Sequence, residues 1–291
     1  RTGGEFLSAE QSPTPLEELY AARIDGFGSS QKRNAALASG GDVLSFVLAS
    51  VDDRLLYRAD QETDGVTELW SVHAIPGGTP VKLNGTLVAE GDVSDMQFTP
   101  DARSVVYRAD QLTQGQLELF SAPLDGSRPP VALAAEVLGG NPEAIAQDYA
   151  LSPDGAWAVF TTRIQKDRLY SVRADGSAPA GFLHGVLNGA GVNSFQITPD
   201  GQRVVYLAEF ELDGVLELYC TPIDRSAPPV RLSGTMVAGG DVTHFQLSPD
   251  STRVAYRADQ DADEVFDLFA VPLDQSAPPV RLNLSRPLAD V

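Results

Sequence analysis

The sequence holds one cysteine, Cys220, so it can close no disulfide within the chain and offers no cysteine-based metal site. No apolar run approaches the ~18 residues that a membrane-spanning helix needs. Positive charge is scarce. The 21 Lys and Arg residues stand against 40 Asp and Glu, a net charge of −19. A phosphate backbone or an anionic membrane surface would be repelled, which argues against nucleic acid as a partner and against membrane insertion. Cations, basic partners and neutral ligands stay open, and solubility alone would also account for the acidity. The three histidines, His73, His184 and His244, fall at unrelated positions, and there is no GxSxG elbow, HExxH helix or phosphate loop. Sustained 3.6-residue periodicity is missing as well, so little helix is expected. No leader peptide is visible, and Arg1 falls partway through a repeat, so the chain is read as a processed or partial one.

What is present is self-similarity. Segments opening DVLSFVLASVD, DVSDMQFTPD, AQDYALSPDG, VNSFQITPDG and DVTHFQLSPD align, with a large side chain recurring at Phe46, Met96, Tyr149, Phe195 and Phe245. Each continues through runs of the RVVY, LELF and VRLN type, so a repeat of roughly 50 residues holds four short β-prone runs, here lettered A to D. Pro, Asp and Gly turns separate them. Runs B and C are apolar on both faces, as strands buried between stacked sheets are. Four antiparallel strands per unit, repeated, predict an all-β β-propeller of four-stranded blades, six in number. The chain is read as a single propeller domain over 1–291. It divides into a partial blade, 1–41, that lacks run A, and full blades 42–91, 92–145, 146–191, 192–240 and 241–291. The final LADV stops where another run A would begin, so the missing strand is expected from residues beyond one end.

The succession SPDG–VVY–ADQ–ELY–PLDGS–PVRLN resembles the bacterial WD40-like PD40 repeats of TolB-type propellers across nearly the whole chain. The resemblance implies a periplasmic or extracellular module that binds proteins. Similar repeats also form the gating propellers of prolyl-oligopeptidase-type peptidases. These 291 residues carry neither the α/β domain of TolB nor a hydrolase domain.

Two constellations are candidates for chemistry. In a propeller run A is innermost, and the residues ahead of its large side chain are Ser45, Asp95, Asp148, Ser194 and His244, with Asp42, Asp92 and Asp241 just upstream in Gly-rich loops. Such a channel face could take a cation, a basic side chain or a small ligand, or it could simply hydrogen-bond loop amides and water. The second lies in the B–C hairpins: Asp60, Glu62, Asp64 and Glu68; Glu209, Glu211, Asp213 and Glu217; Asp259, Asp261, Asp263 and Asp267. Acids at alternate positions followed by Gly and a further acid resemble calcium loops. A DG hairpin needs no metal, however, and acids also keep edges from pairing. The arginines of YRADQ, Arg58, Arg108 and Arg257, are read as blade-to-blade ion pairs, and Cys220 as a small packed residue.

The pattern as a whole predicts a non-enzymatic binding or scaffold propeller, extracytoplasmic in a bacterium, engaging a protein or glycan through one face. No cofactor is expected beyond possible calcium. One alternative is a hydrolase or lyase using Asp95, Asp148 and His244; another is a subunit of a surface layer or filament. The longer D–A loop after repeat two and the shortened B–C hairpin of repeat three mark where recognition would differ from scaffold.

Overall fold

A computed structural model of the chain describes residues 5–11, 17–23, 28–49, 53–75, 77–138, 145–164, 166–185, 191–210 and 213–283. Backbone contacts gather it into two compact units, one of residues 1–145 with 174–177, the other of residues 146–173 with 178–291.

In the first unit one sheet joins β1 (Glu5–Gln11), β2 (Glu17–Arg23) and β3 (Gln31–Lys32). The next joins β4 (Val43–Leu48), β5 (Arg54–Ala59), β6 (Glu68–His73) and β7 (Val81–Lys82). The third joins β8 (Val93–Phe98), β9 (Ser104–Ala109), β10 (Glu118–Pro123) and β11 (Val131–Ala132), and α1 (Ala135–Leu138) makes one turn in the long loop after it. The second unit opens with β12 (Ile145–Leu151), β13 (Trp157–Ile164), β14 (Lys166–Arg173) and β15 (Gly181–Phe182). Then come β16 (Val192–Ile197), β17 (Arg203–Ala208), β18 (Glu217–Pro222) and β19 (Val230–Arg231). Last are β20 (Val242–Leu247), β21 (Arg253–Ala258), β22 (Asp267–Pro272) and β23 (Val280–Arg281). Every sheet is an antiparallel meander in chain order, five of four strands and one of three among the described residues. These are propeller blades, and the fold is an all-β β-propeller. No helix among the described residues is long and apolar enough to cross a membrane.

The repeat pattern has a direct physical counterpart in the central strands. Runs B and C place an aromatic pair directly across from each other in every full sheet: Tyr57 and Trp70, Tyr107 and Phe120, Phe160 and Tyr170, Tyr206 and Tyr219, Tyr256 and Phe269. Their ring centroids stand 5.3–6.4 Å apart, stacked, and a contact of this kind adds about 1 kcal/mol beyond its buried area. The A–B turns are fixed by a hydroxyl–carboxylate bond, as from Thr198 to Asp200 (2.6 Å) and Ser248 to Asp250 (2.6 Å), with the same Asp accepting the amide two residues on. Cooperation of these bonds pulls the Asp154 and Asp250 carboxyls below their usual range, led in each by the serine hydroxyl.

Strand β4 differs from its counterparts. Phe46 and Leu48 are 39% and 38% exposed, whereas Phe245 and Leu247 at the same positions are 3% and 8%. The latter pack on Val205 and Leu207 of the preceding sheet.

Candidate functional site

The acids that the sequence singles out are, in the structure, acceptors for backbone amides. Asp60, Asp110 and Asp259 stand where run B ends, and one oxygen of each accepts the amide of the residue just ahead of run A in the same blade, Asp42, Asp92 or Asp241 (2.6 Å for the last). The second oxygen of Asp60 takes the Gly65 amide (3.1 Å), and that of Asp259 the Glu264 amide (3.0 Å). Asp42, Asp92 and Asp241 pass the connection on, accepting at 2.6 Å the amides of Glu17, Thr67 and Leu216, all in the preceding blade. Glutamine closes a parallel link. Gln61 accepts the Tyr57 hydroxyl (2.9 Å) and the Ala35 amide (3.1 Å), and Gln260 accepts Tyr256 (2.8 Å) and Gly234 (3.1 Å) in the same way. Burial holds these phenols above their usual range, Tyr256 at about 12, so they remain donors. The ADQ motif is thus a blade-to-blade latch, and the Tyr–Gln spacing of four residues was the sequence signal for it.

The other hairpin acids are placed as follows. Glu68 is buried; one oxygen takes the amides of Gln61 and Glu62 (both 3.0 Å) and the other Lys82 Nζ (3.1 Å). Glu217 pairs with Arg231 (2.9 Å) and accepts the Tyr219 hydroxyl (2.6 Å), and Asp267 pairs with Arg281 (3.1 Å). Glu62 pairs with Lys82 (2.7 Å), and Asp261 with Arg281. Glu209 accepts the Gly214 amide (2.9 Å). Asp64, Asp213 and Asp263 are exposed at the hairpin tips, the first and last lying against Gly40 and Gly239. Glu211 lies outside the described residues. Among the described residues no three His, Cys, Asp or Glu side chains gather at metal-holding spacing.

The run A positions behave differently. A β-bulge falls at Val43/Ser45, Val93/Asp95, Val192/Ser194 and Val242/His244, which re-aims the side chain that follows. In the first unit Ser45 accepts Arg58 Nε (2.9 Å), and Asp95 accepts Arg108 Nε (2.7 Å) while its other oxygen is buried with no hydrogen-bond partner among the described residues. In the second unit Ser194 and His244 are exposed, opposite Leu207 and Arg257, and the Asp148 amide donates to Thr161 Oγ1 (3.2 Å). The contacts seen for the arginines of YRADQ among the described residues are of other kinds than blade-to-blade ion pairs. Arg58 reaches the next sheet through the Val93 carbonyl (3.1 Å), Arg108 pairs with Asp95 in its own sheet, and Arg257 lies over the Phe266 ring at 3.8 Å. Strand A's own polar residues intercept them first. Cys220 is 2% exposed, and burial pushes its thiol up to about 11, which leaves it unreactive at neutral pH.

A cleft of about 550 Å³ lies in the first unit, between the hairpin 62–68 and the loop 82–90, and no motif in the sequence signals it. Glu62, Glu68, Lys82, Leu87, Val88 and Glu90 are among the residues that line it. Burial works against the Lys82 charge, but hydrogen bonds to Glu62 and Glu68 outweigh it and hold the ammonium above its usual range.

One link in this pattern is left open. Glu118 stands where Glu68 and Glu217 stand, but the cation's place is taken by Ala132. Burial pushes the Glu118 carboxyl up, and the amides of Leu112 and Gln111 only partly offset it. A raised folded pKa means the buried charge costs stability as pH rises through that value. Ala132→Arg is therefore expected to raise Tm by about 2 °C at pH 7 and by little near pH 4, read from melts at the two pH values.

Neither a family model nor any curated protein sequence matches the chain. Solved structures do. One from a study of two prolyl endopeptidases aligns over 98% of this chain at 12% identity and TM-score 0.51. Puromycin hydrolase aligns over 97% (16% identity, TM-score 0.49), and a structure described as TolB from Agrobacterium tumefaciens over 81% (15%, 0.42). The chain spans 42% of the prolyl endopeptidase structure and 46% of puromycin hydrolase. At these identities the likeness is one of fold, and the fold shared is the β-propeller.

Proposed function

We propose that this chain is a non-enzymatic binding propeller that engages a protein or glycan where B–C hairpins and D–A loops meet, outside the cytoplasm. The cleft above Lys82 carries the reading. It is concave, of ligand-binding size, and lined by both apolar and polar side chains. Its charges are already committed: Lys82 is held protonated by two carboxylates, and Glu68 is held by two amides. Fixed charges of this kind orient a ligand and do not trade protons with it. The likeness of the repeats to TolB-type propellers supports an extracytoplasmic home.

The test is to probe glycan and peptide arrays with the 291-residue chain, then with Thr86→Trp, which fills the cleft from an exposed position. Saturable binding that drops at least tenfold in the variant, with no cleavage of the bound compound, is the expected result. Turnover of an array hit that Asp95→Asn abolishes would replace this reading with a hydrolase or lyase. No saturable binding on either array would remove it.

A further inference from the structure

Several departures from the repeat coincide around one blade. In blade 146–191 the buried acid of run C becomes Arg168, and the cation of run D becomes Phe182. Two residues on, the position of Asn84 becomes His184, and in the following blade the latch glutamine becomes Phe210. The same blade has lost most of its B–C hairpin, with β13 ending at Ile164 and β14 beginning at Lys166. It carries four acidic and four basic side chains in a chain of net charge −19.

These changes turn a polar latch into an exposed aromatic and cationic surface, all within the second unit. Phe182 is 47% exposed, with its ring 4.6 Å from Tyr170 and 5.2 Å from His184. The Arg168 guanidinium lies 5.6 Å from the Phe182 centroid and has no carboxylate partner among the described residues. Phe210 fills the space beside Gly185, where a Cβ would come within 2.5 Å of its ring. His184 meets the Gly185 carbonyl through Nδ1 (2.6 Å), while its Nε2 is buried without a hydrogen-bond partner among the described residues. The strand that presents Phe182, β15, is the outermost of its sheet and pairs only with β14 among the described residues. Its free edge can take a further strand.

We infer that this surface binds an acidic peptide segment in extended form, with a carboxylate on Arg168 and an aromatic or aliphatic side chain on Phe182. This rests on the binding reading above but uses a different surface. Charge selects the partner: an unpaired guanidinium beside an exposed ring attracts a carboxylate, and the acidic remainder of the chain repels acidic segments elsewhere. The free edge of β15 favours a peptide, since it supplies backbone donors and acceptors.

The protein carries its own control. Arg168→Glu with Phe182→Lys restores the pair that Glu68 and Lys82 make, so the double variant is expected to fold with an unchanged or higher Tm. The probe is acetyl-Asp-Phe-Asp-Phe-Asp-amide, titrated against the 291-residue chain while the ring resonances of the three histidines are followed. The His184 signal, assigned with His184→Asn, is expected to shift with a submillimolar Kd, and the double variant to bind at least tenfold more weakly. The Lys-Phe-Lys-Phe-Lys counterpart should not bind. Equal binding of both peptides, undiminished binding by the folded double variant, or preference for a hyaluronate tetrasaccharide over the peptide would each overturn the proposal. None of those outcomes bears on the cleft above Lys82, which Thr86→Trp tests separately.

Discussion

Replacing Asp259 with alanine is expected to lower Tm by about 8 °C, equally in calcium and in excess chelator. Asp259 is 3% exposed, and its two oxygens accept the Asp241 amide at 2.6 Å and the Glu264 amide at 3.0 Å. Alanine removes the acceptor of both donors at a position whose side chain is almost fully buried. Hydrogen bonds to a charged group contribute about 1.5–3 kcal/mol each, so the loss is about 3 kcal/mol. The damage spreads, because Asp241 must stay in place to accept the Leu216 amide of the preceding blade (2.6 Å). Asn keeps one acceptor oxygen and should recover about half the loss. Calcium separates the two readings of these hairpins. A latch made of amides is indifferent to chelator, whereas a metal loop would show the mutational loss only with calcium present.

The fold was legible in the sequence because the repeat wrote it several times. Apolar runs with Tyr57, Tyr107, Phe160, Tyr206 and Tyr256 at one register position could only be stacked sheets, and those residues are the cross-strand aromatic pairs. The same repetition obscured the site. Asp60 and Asp259 recur for the reason Tyr57 does, as parts of the framework that most blades share, and recurring acids look like metal ligands when their amide partners are 18 residues away along the chain. Arg58 and Arg108 were misplaced for a related reason: the bulge that turns Ser45 and Asp95 toward them is a backbone event without a residue of its own. The cleft over Lys82 depends on how a hairpin and a loop lie together, which no single run encodes. Departure from the pattern was the more informative signal. Arg168 and Phe182 were visible in the sequence, but only the strand register, which gives them the repeat positions that Glu68 and Lys82 hold in another blade, showed that one exchange implied the other.

Gly91→Ala tests whether the Gly-Asp step is as structural as the Asp that follows it. A Cβ at Gly91 would run into the Asp110 carbonyl oxygen and stand 2.9 Å from that of Val88, both backbone atoms that cannot swing aside. To make room the loop must move off β9, yet the Asp92 amide is bound to the Asp110 carboxylate and the Asp92 carboxylate to the Thr67 amide (2.6 Å). Relieving the clash therefore breaks the latch. The expected cost is about 3 kcal/mol or more, a fall in Tm of about 8 °C. Gly115 is the matched control, with φ +72 and nothing within 4 Å of the place a methyl group would take. Alanine there meets only the left-handed backbone penalty of about 1 kcal/mol, a fall of about 3 °C. If close approach is what the Gly-Asp step serves, Gly91→Ala is the more damaging of the two. The opposite order in the melts would mean that loop 85–92 yields without disturbing its neighbours, and that the amide bonds to Asp92 and Asp110 hold the blades together less than their geometry implies.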